Sequence, residues 1–188
     1  MIKVELSEVV IARALSIARY ENIMPNGSKD KSISGKGRSA VWEGALGQAV
    51  FEYAAAARKI PLEFVALITH DYESLAGSVE VKTKERAYAP EPHFEASLYS
   101  YNESWQQADW YAFVSLKLAD GYTKDSPANV WKYSGAWVMG CINHQRLVGE
   151  MYEVRKGDEL QNGQTAMFNS RNIKYSILEP IDILGGKK

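Results

Sequence analysis

Apolar residues recur at helical spacing twice near the start of the chain, then give way to shorter, strand-like stretches. Val9, Val10, Ala14, Ile17 and Ala18 share one face of a helix predicted over Leu6 to Ile23, with Ser7 as its N-cap. Pro25, Asn26 and Gly27 end it. A second, Ala-rich helix is predicted from Ser39 to Arg58, with Trp42, Leu46, Val50, Phe51 and Ala54 on its buried face. Gly44 and Gly47 inside it each cost about 1 kcal/mol relative to Ala, which predicts close packing against a neighbour. Ile60-Pro61 stops this helix.

Strands follow. Leu62 to Thr69 is apolar, Gly77 to Thr83 alternates, and Asp71 to Gly77 carries polar turn formers. The expectation is two adjacent antiparallel strands within 62–84. Residues 85–95, with Pro90 and Pro92, read as irregular, and a short helix is predicted around Leu98 to Gln106. Trp110 to Leu118 is rich in aromatic and β-branched residues and reads as a strand. A turn at Asp120-Gly121 leads through Pro127 to a strand over Val130 to Val138. A short helix over 142–150, turns at Lys156-Gly157-Asp158 and Asn162-Gly163, and a strand over Asn172 to Leu178 complete the pattern. With no internal repeat and no long linker, residues 1–188 read as a single α/β domain.

Composition narrows the classes. The 188 residues are 46% hydrophobic, enough for one sizeable core without disulfides or a structural metal. The 22 Lys and Arg against 23 Asp and Glu give a net charge of −1, which excludes a globally basic nucleic-acid coat. Charge is nevertheless uneven. Residues 25–39 carry Lys29, Lys31, Lys36 and Arg38 against Asp30 alone. Cys141 is the only cysteine, so an internal disulfide and a Cys-cluster zinc site are excluded, and a reducing, cytoplasmic compartment is expected. The N-terminus shows no signal-peptide pattern, and no apolar run approaches the ~18 residues of a membrane helix, so no membrane association is expected. His70, His93 and His144 have no i, i+4 pairing, which argues against a zinc hydrolase. Gly35-Lys36-Gly37-Arg38-Ser39 lacks the spacing of a phosphate-binding P-loop.

The chemistry concentrates in Ser78–Lys84. Alternation puts Val79, Val81 and Thr83 on one face and Glu80, Lys82 and Lys84 on the other. A carboxylate and an ammonium on an otherwise apolar strand are costly to bury unless they pair or bind a metal. Asp71 lies nine positions upstream of Glu80. If the two strands are neighbours, it can share a metal with Glu80, although the turn's register leaves Glu73 as the alternative. Glu43 sits in the preceding helix. Hard oxygen ligands of this kind suit Mg2+ or Mn2+ and metal-assisted phosphodiester hydrolysis.

Asp71 followed by Glu80-Val81-Lys82, after a helix bearing Glu43, resembles the PD-(D/E)XK nuclease superfamily, across roughly residues 39–118. The later segments resemble phage and bacterial members more loosely. The resemblance implies a restriction-endonuclease-like mixed-sheet core of order αβββαβ flanked by helices. It implies Asp71 and Glu80 as metal ligands, Glu43 as an assisting ligand and Lys82 as the catalytic lysine. Asp71, Glu80 and Lys82 are then the catalytic set, with Mg2+ or Mn2+ as cofactor. The implied activity is a deoxyribonuclease leaving 5′-phosphate and 3′-hydroxyl ends, in a family with many homodimers. Lys36, Arg38 and Lys84 are expected to contact DNA phosphates. The alternative is a non-cleaving DNA- or protein-binding module of the same fold.

Overall fold

The computed structural model describes residues 1–23, 38–65, 67, 69–99, 108–126, 129–159, 165–166 and 169–186. Its elements run β1 (Ile2–Val4), α1 (Glu8–Ile23), α2 (Arg38–Ala57), β2 (Leu62–Phe64), β3 (Tyr72–Ser74), β4 (Gly77–Arg86), β5 (Glu95–Tyr99) and β6 (Trp110–Leu118). After these come β7 (Tyr133–Asn143), α3 (His144–Glu150), β8 (Tyr152–Val154) and β9 (Ser170–Lys174). The fold is mixed α/β. One sheet has six strands in the order β1-β7-β6-β4-β3-β2, and a second has three in the order β5-β9-β8. Every neighbouring pair is antiparallel except β4 and β6, which run parallel.

The centre of the six-stranded sheet, at β6 and β7, is buried on both faces, which is why β6 reads as nearly continuous apolar sequence. Ala112, Val114 and Leu116 face one core, together with Trp42, Leu46, Val50 and Ala54 of α2 and Val10, Ala14 and Ile17 of α1. Tyr111 and Phe113 face a second core, with Trp137 and Met139 of β7, Ala96 and Leu98 of β5 and Ile173 of β9. The helix α2 lies across β4, β6 and β7. A Cβ on Gly47 would fall 1.8 Å from Thr83 Oγ1, so only glycine lets the helix backbone approach β4 this closely. Gly44 has nothing within 4 Å of such a Cβ, so the close packing expected of both glycines holds for Gly47 alone. Among the described residues no helix is long and apolar enough to cross a membrane.

Several boundaries differ from the sequence pattern. The apolar run 62–69 is not one strand. Its described residues yield only β2, and the strand paired with β4 is β3, inside the segment expected to be a turn. Tyr72 drives this outcome: it is fully buried and packs against Phe51 and Phe64, so the chain turns only at Leu75 and Ala76. β1 is too short to stand out by alternation, but it pairs with β7 and buries Val4. The start of the helix expected around Leu98 is β-strand instead, and residues 100–107 lie outside the described residues. Val130–Lys132 is a 3-10 turn, so the next strand starts at Tyr133 and runs to Asn143. The last strand is Ser170–Lys174, with Tyr175–Ile177 forming another 3-10 turn. Val9, expected on the buried face of the first helix, is 69% exposed, because the neighbouring Val10 takes the inward position. The turns at 25–27 and at Asn162-Gly163, and Pro127, lie outside the described residues.

Candidate active site

Strand alternation sets the site's two sides. Val79 and Val81 join the core beneath α2, which turns Glu80 and Lys82 to the opposite face of β4. Glu80 is 7% exposed, and its Oε1 lies 2.7 Å from Lys82 Nζ. Each charge therefore has a partner, which offsets the cost of removing it from water. Tyr111 of β6 stands beside Glu80 in the parallel register. Its phenol is pushed up to about 12, first by burial and then by the negative charge of Glu80.

Asp71 immediately precedes β3. Since Tyr72 pairs with Val79, the register brings Asp71 alongside the Glu80 segment of β4. Its carboxylate is fixed from two sides. The Val81 backbone N–H donates to Oδ2 at 2.7 Å, and the Gln48 side-chain amide donates to Oδ1 at 2.8 Å. The Asp71 carboxylate thus sits at the Glu80–Val81 peptide. Glu73, the alternative upstream acid, is engaged elsewhere. Its Oε1 lies 2.8 Å from His70 Nε2, and His70 Nδ1 lies 2.9 Å from Thr69 Oγ1.

Gln48 is the residue that sequence reasoning missed. It is 6% exposed, a polar side chain among the buried Leu46, Ala49 and Val50 of α2. A lone amide inside an apolar helical stripe was the available signal, because a buried amide needs a partner. The close approach at Gly47 brings this turn of α2 onto β4, and Gln48 reaches past it to Asp71. Glu43 lies five residues earlier, about 140° round the helix. Its charge is felt at the Tyr133 hydroxyl, beside Glu85.

That neighbourhood forms a second buried charged cluster, also unforeseen. Lys132 is wholly buried, with Nζ 2.7 Å from Glu85 Oε1 and 3.0 Å from the Lys124 carbonyl. The Tyr133 hydroxyl donates to the same Glu85 oxygen. Burial above all, then this hydrogen bond and the charges of Glu85 and Glu43, push the Tyr133 phenol far up.

The residues expected to contact phosphates are dispersed. Lys84 is turned toward the second sheet, where Nζ donates to Ser97 Oγ at 2.9 Å and to the Glu95 carbonyl at 3.4 Å. Burial, then the nearby Arg86, lower its amine to about 8. Lys36 lies outside the described residues, and of Arg38 only the backbone is described, at the first position of α2.

Asp71 and Glu80 could hold a divalent ion. Among the described residues no group of three or more His, Cys, Asp or Glu converges as a metal cage. The donors are the Asp71 carboxylate just before β3, held from α2 by the Gln48 amide, and the Glu80 carboxylate on β4, paired with Lys82 on the face of β4 turned away from α2. This suits a hydrated hard cation bound through one or two carboxylates, with water and substrate filling its other positions. No protein-family model matches this chain, and a search of curated proteins finds no relative.

Proposed function

We propose that this chain is a divalent-metal-dependent nuclease that hydrolyses phosphodiester bonds in DNA, built on a restriction-endonuclease-like core. The observation that carries the reading is the Asp71 carboxylate held at the Val81 amide, between Glu80 and the lysine paired with it. Asp71 and Glu80 would hold Mg2+ or Mn2+. The bound ion would supply an acidified water and stabilise charge developing on the phosphate. Lys82, paired with Glu80 beside that site, would orient the attacking water and favour its deprotonated form. Gln48 keeps Asp71 in one orientation throughout.

The element order supports the core in part. A helix (α2), three antiparallel strands (β2, β3, β4) and a parallel strand (β6) follow the expected sequence. The crossover between β4 and β6 carries β5, with residues 100–107 outside the described residues.

The test is incubation of the purified protein with supercoiled, linear and single-stranded DNA in Mg2+, Mn2+ or EDTA. Cleavage is expected with metal, blocked by EDTA and lost in Lys82→Ala, with products bearing 5′-phosphates. A wild type that cuts nothing under any metal, or a Lys82→Ala variant that cuts equally well, overturns the reading. DNA binding without cleavage would favour the non-cleaving module.

A further inference from the structure

β5 is the end strand of the second sheet, and its outer side meets β4. The Tyr175 N–H donates to the Phe94 carbonyl at 2.9 Å, and the same register runs on from Glu95–Lys174 to Tyr99–Ser170. Along an antiparallel ladder, pairs that exchange hydrogen bonds alternate with pairs that do not. Phe94, Ala96 and Leu98 therefore turn their backbone groups to β9, while Glu95 and Ser97 turn theirs outward. The Glu95 carbonyl accordingly accepts from Lys84 and Arg86 of β4. The Ser97 N–H is presented on that same side.

The Ser97 hydroxyl meets an amine there. Lys84 Nζ lies 2.9 Å from Ser97 Oγ, and its other hydrogen bond among the described residues is the longer one to the Glu95 carbonyl, at 3.4 Å. Lys82 has Glu80 as counter-charge, whereas both of these partners of Lys84 are neutral. The Glu95 carboxylate is held instead by Asn172 Nδ2 at 3.0 Å. Burial and the nearby Arg86 lower the Lys84 amine to about 8. In its neutral form the amine can accept the Ser97 proton. Both residues are half-buried, so a substrate can approach them. Hydroxyl, amine and outward N–H are the nucleophile, general base and oxyanion donor that acyl transfer needs.

We propose that Ser97 and Lys84 form a serine–lysine dyad that hydrolyses carboxylic esters, at a site separate from Asp71 and Glu80. Ser97 Oγ bonds to the acyl carbon as its proton passes to Lys84 Nζ. The Ser97 N–H donates to the carbonyl oxygen as it becomes negative. The alkoxide leaves with the proton from Lys84, and water then releases the acid from the acyl-serine by the same route.

The test treats the full chain, in EDTA and without DNA, with a fluorophosphonate, which an activated serine captures with loss of fluoride. Turnover is followed with 4-nitrophenyl butyrate. One adduct per chain is expected, mapped by peptide mass spectrometry to Ser97 and absent from Ser97→Ala, with nitrophenol release stopping as the adduct forms. Lys84→Arg keeps a cation and a hydrogen-bond donor but has no accessible neutral form. It is expected to slow labelling at least about 100-fold, with the urea midpoint near that of the wild type. Should Lys84→Arg not fold, the mapping on the wild type alone decides. A wild type without an adduct at Ser97, or a folded Lys84→Arg labelled at the wild-type rate, overturns the dyad. Neither result bears on the nuclease reading, which needs metal and DNA.

Discussion

At the scale of single residues, the candidate site depends on an amide. Gln48 holds one oxygen of Asp71 while a backbone N–H holds the other. Groups that orient a metal-binding carboxylate typically matter 10- to 100-fold for metal affinity or activity. On the proposed nuclease reading, Gln48→Ala is expected to cut cleavage at least about tenfold and to raise the Mg2+ concentration for half-maximal rate, with the far-ultraviolet dichroism unchanged. An unaltered Mg2+ dependence would count against the role of Gln48. The second cluster makes a different prediction, about stability. Lys132→Met leaves Glu85 buried with the Tyr133 hydroxyl but no cation, and removing one partner of a buried pair costs about 3–5 kcal/mol. Urea denaturation should show a loss of that order, and Glu85→Gln in the same chain should restore part of it. A loss below about 1 kcal/mol would mean that solvent reaches Glu85.

At the scale of elements, the decisive contact is α2 against β4. The two glycines of α2 make opposite predictions. A Cβ at Gly47 would collide with Thr83, so Gly47→Ala should destabilise by about 1–3 kcal/mol and disturb the Gln48–Asp71 bond with it. Gly44 faces open space, so Gly44→Ala should stabilise by up to about 1 kcal/mol through helix propensity. Thermal melts of the two variants moving in the same direction would refute this account of the packing. The sequence pattern marked both glycines alike, because it records that a helix tolerates them and not what lies opposite. The same limit explains the other differences. β4, β6 and α2 are legible because each is long enough for its period to repeat, and alternation assigns Glu80-Val81-Lys82 to one strand. β1, β2 and β3 are three residues each, too short for any period, and are held by pairing with distant partners. Gln48 and Lys132 meet Asp71 and Glu85 only after folding, across 23 and 47 positions of chain, and no local pattern carries that information.

At the scale of the whole molecule, β4 joins the two halves of the site's surroundings. One of its faces lies beneath α2. The other carries Glu80 and Lys82, and further along Lys84 and Arg86, which reach the second sheet. Lys84 donates to Ser97, and Arg86 donates to the Glu95 carbonyl and the Tyr175 hydroxyl, between the rings of Phe94 and Tyr175. This junction has a pH signature. The Lys84 amine titrates near 8 in the folded chain against its usual 10.5, chiefly because it is buried. Below pH 8 it is charged in both folded and unfolded states, and the folded state bears the whole cost of burying the charge. Between about 8 and 10.5 the unfolded chain keeps a proton that the folded chain has released, so Lys84 makes stability rise with pH; above that range the contribution is constant. Replacing Lys84 with Met abolishes the titration and leaves the other groups in place. The stability difference between wild type and Lys84→Met, from urea unfolding, should therefore be level from pH 6 to 7 and shift in favour of the wild type from pH 8 to 10. A difference that stays constant across that range would show that the amine keeps its water, and that the second sheet is held to β4 by Arg86, and to β6 and β7 by the apolar contacts of Ala96, Leu98 and Ile173.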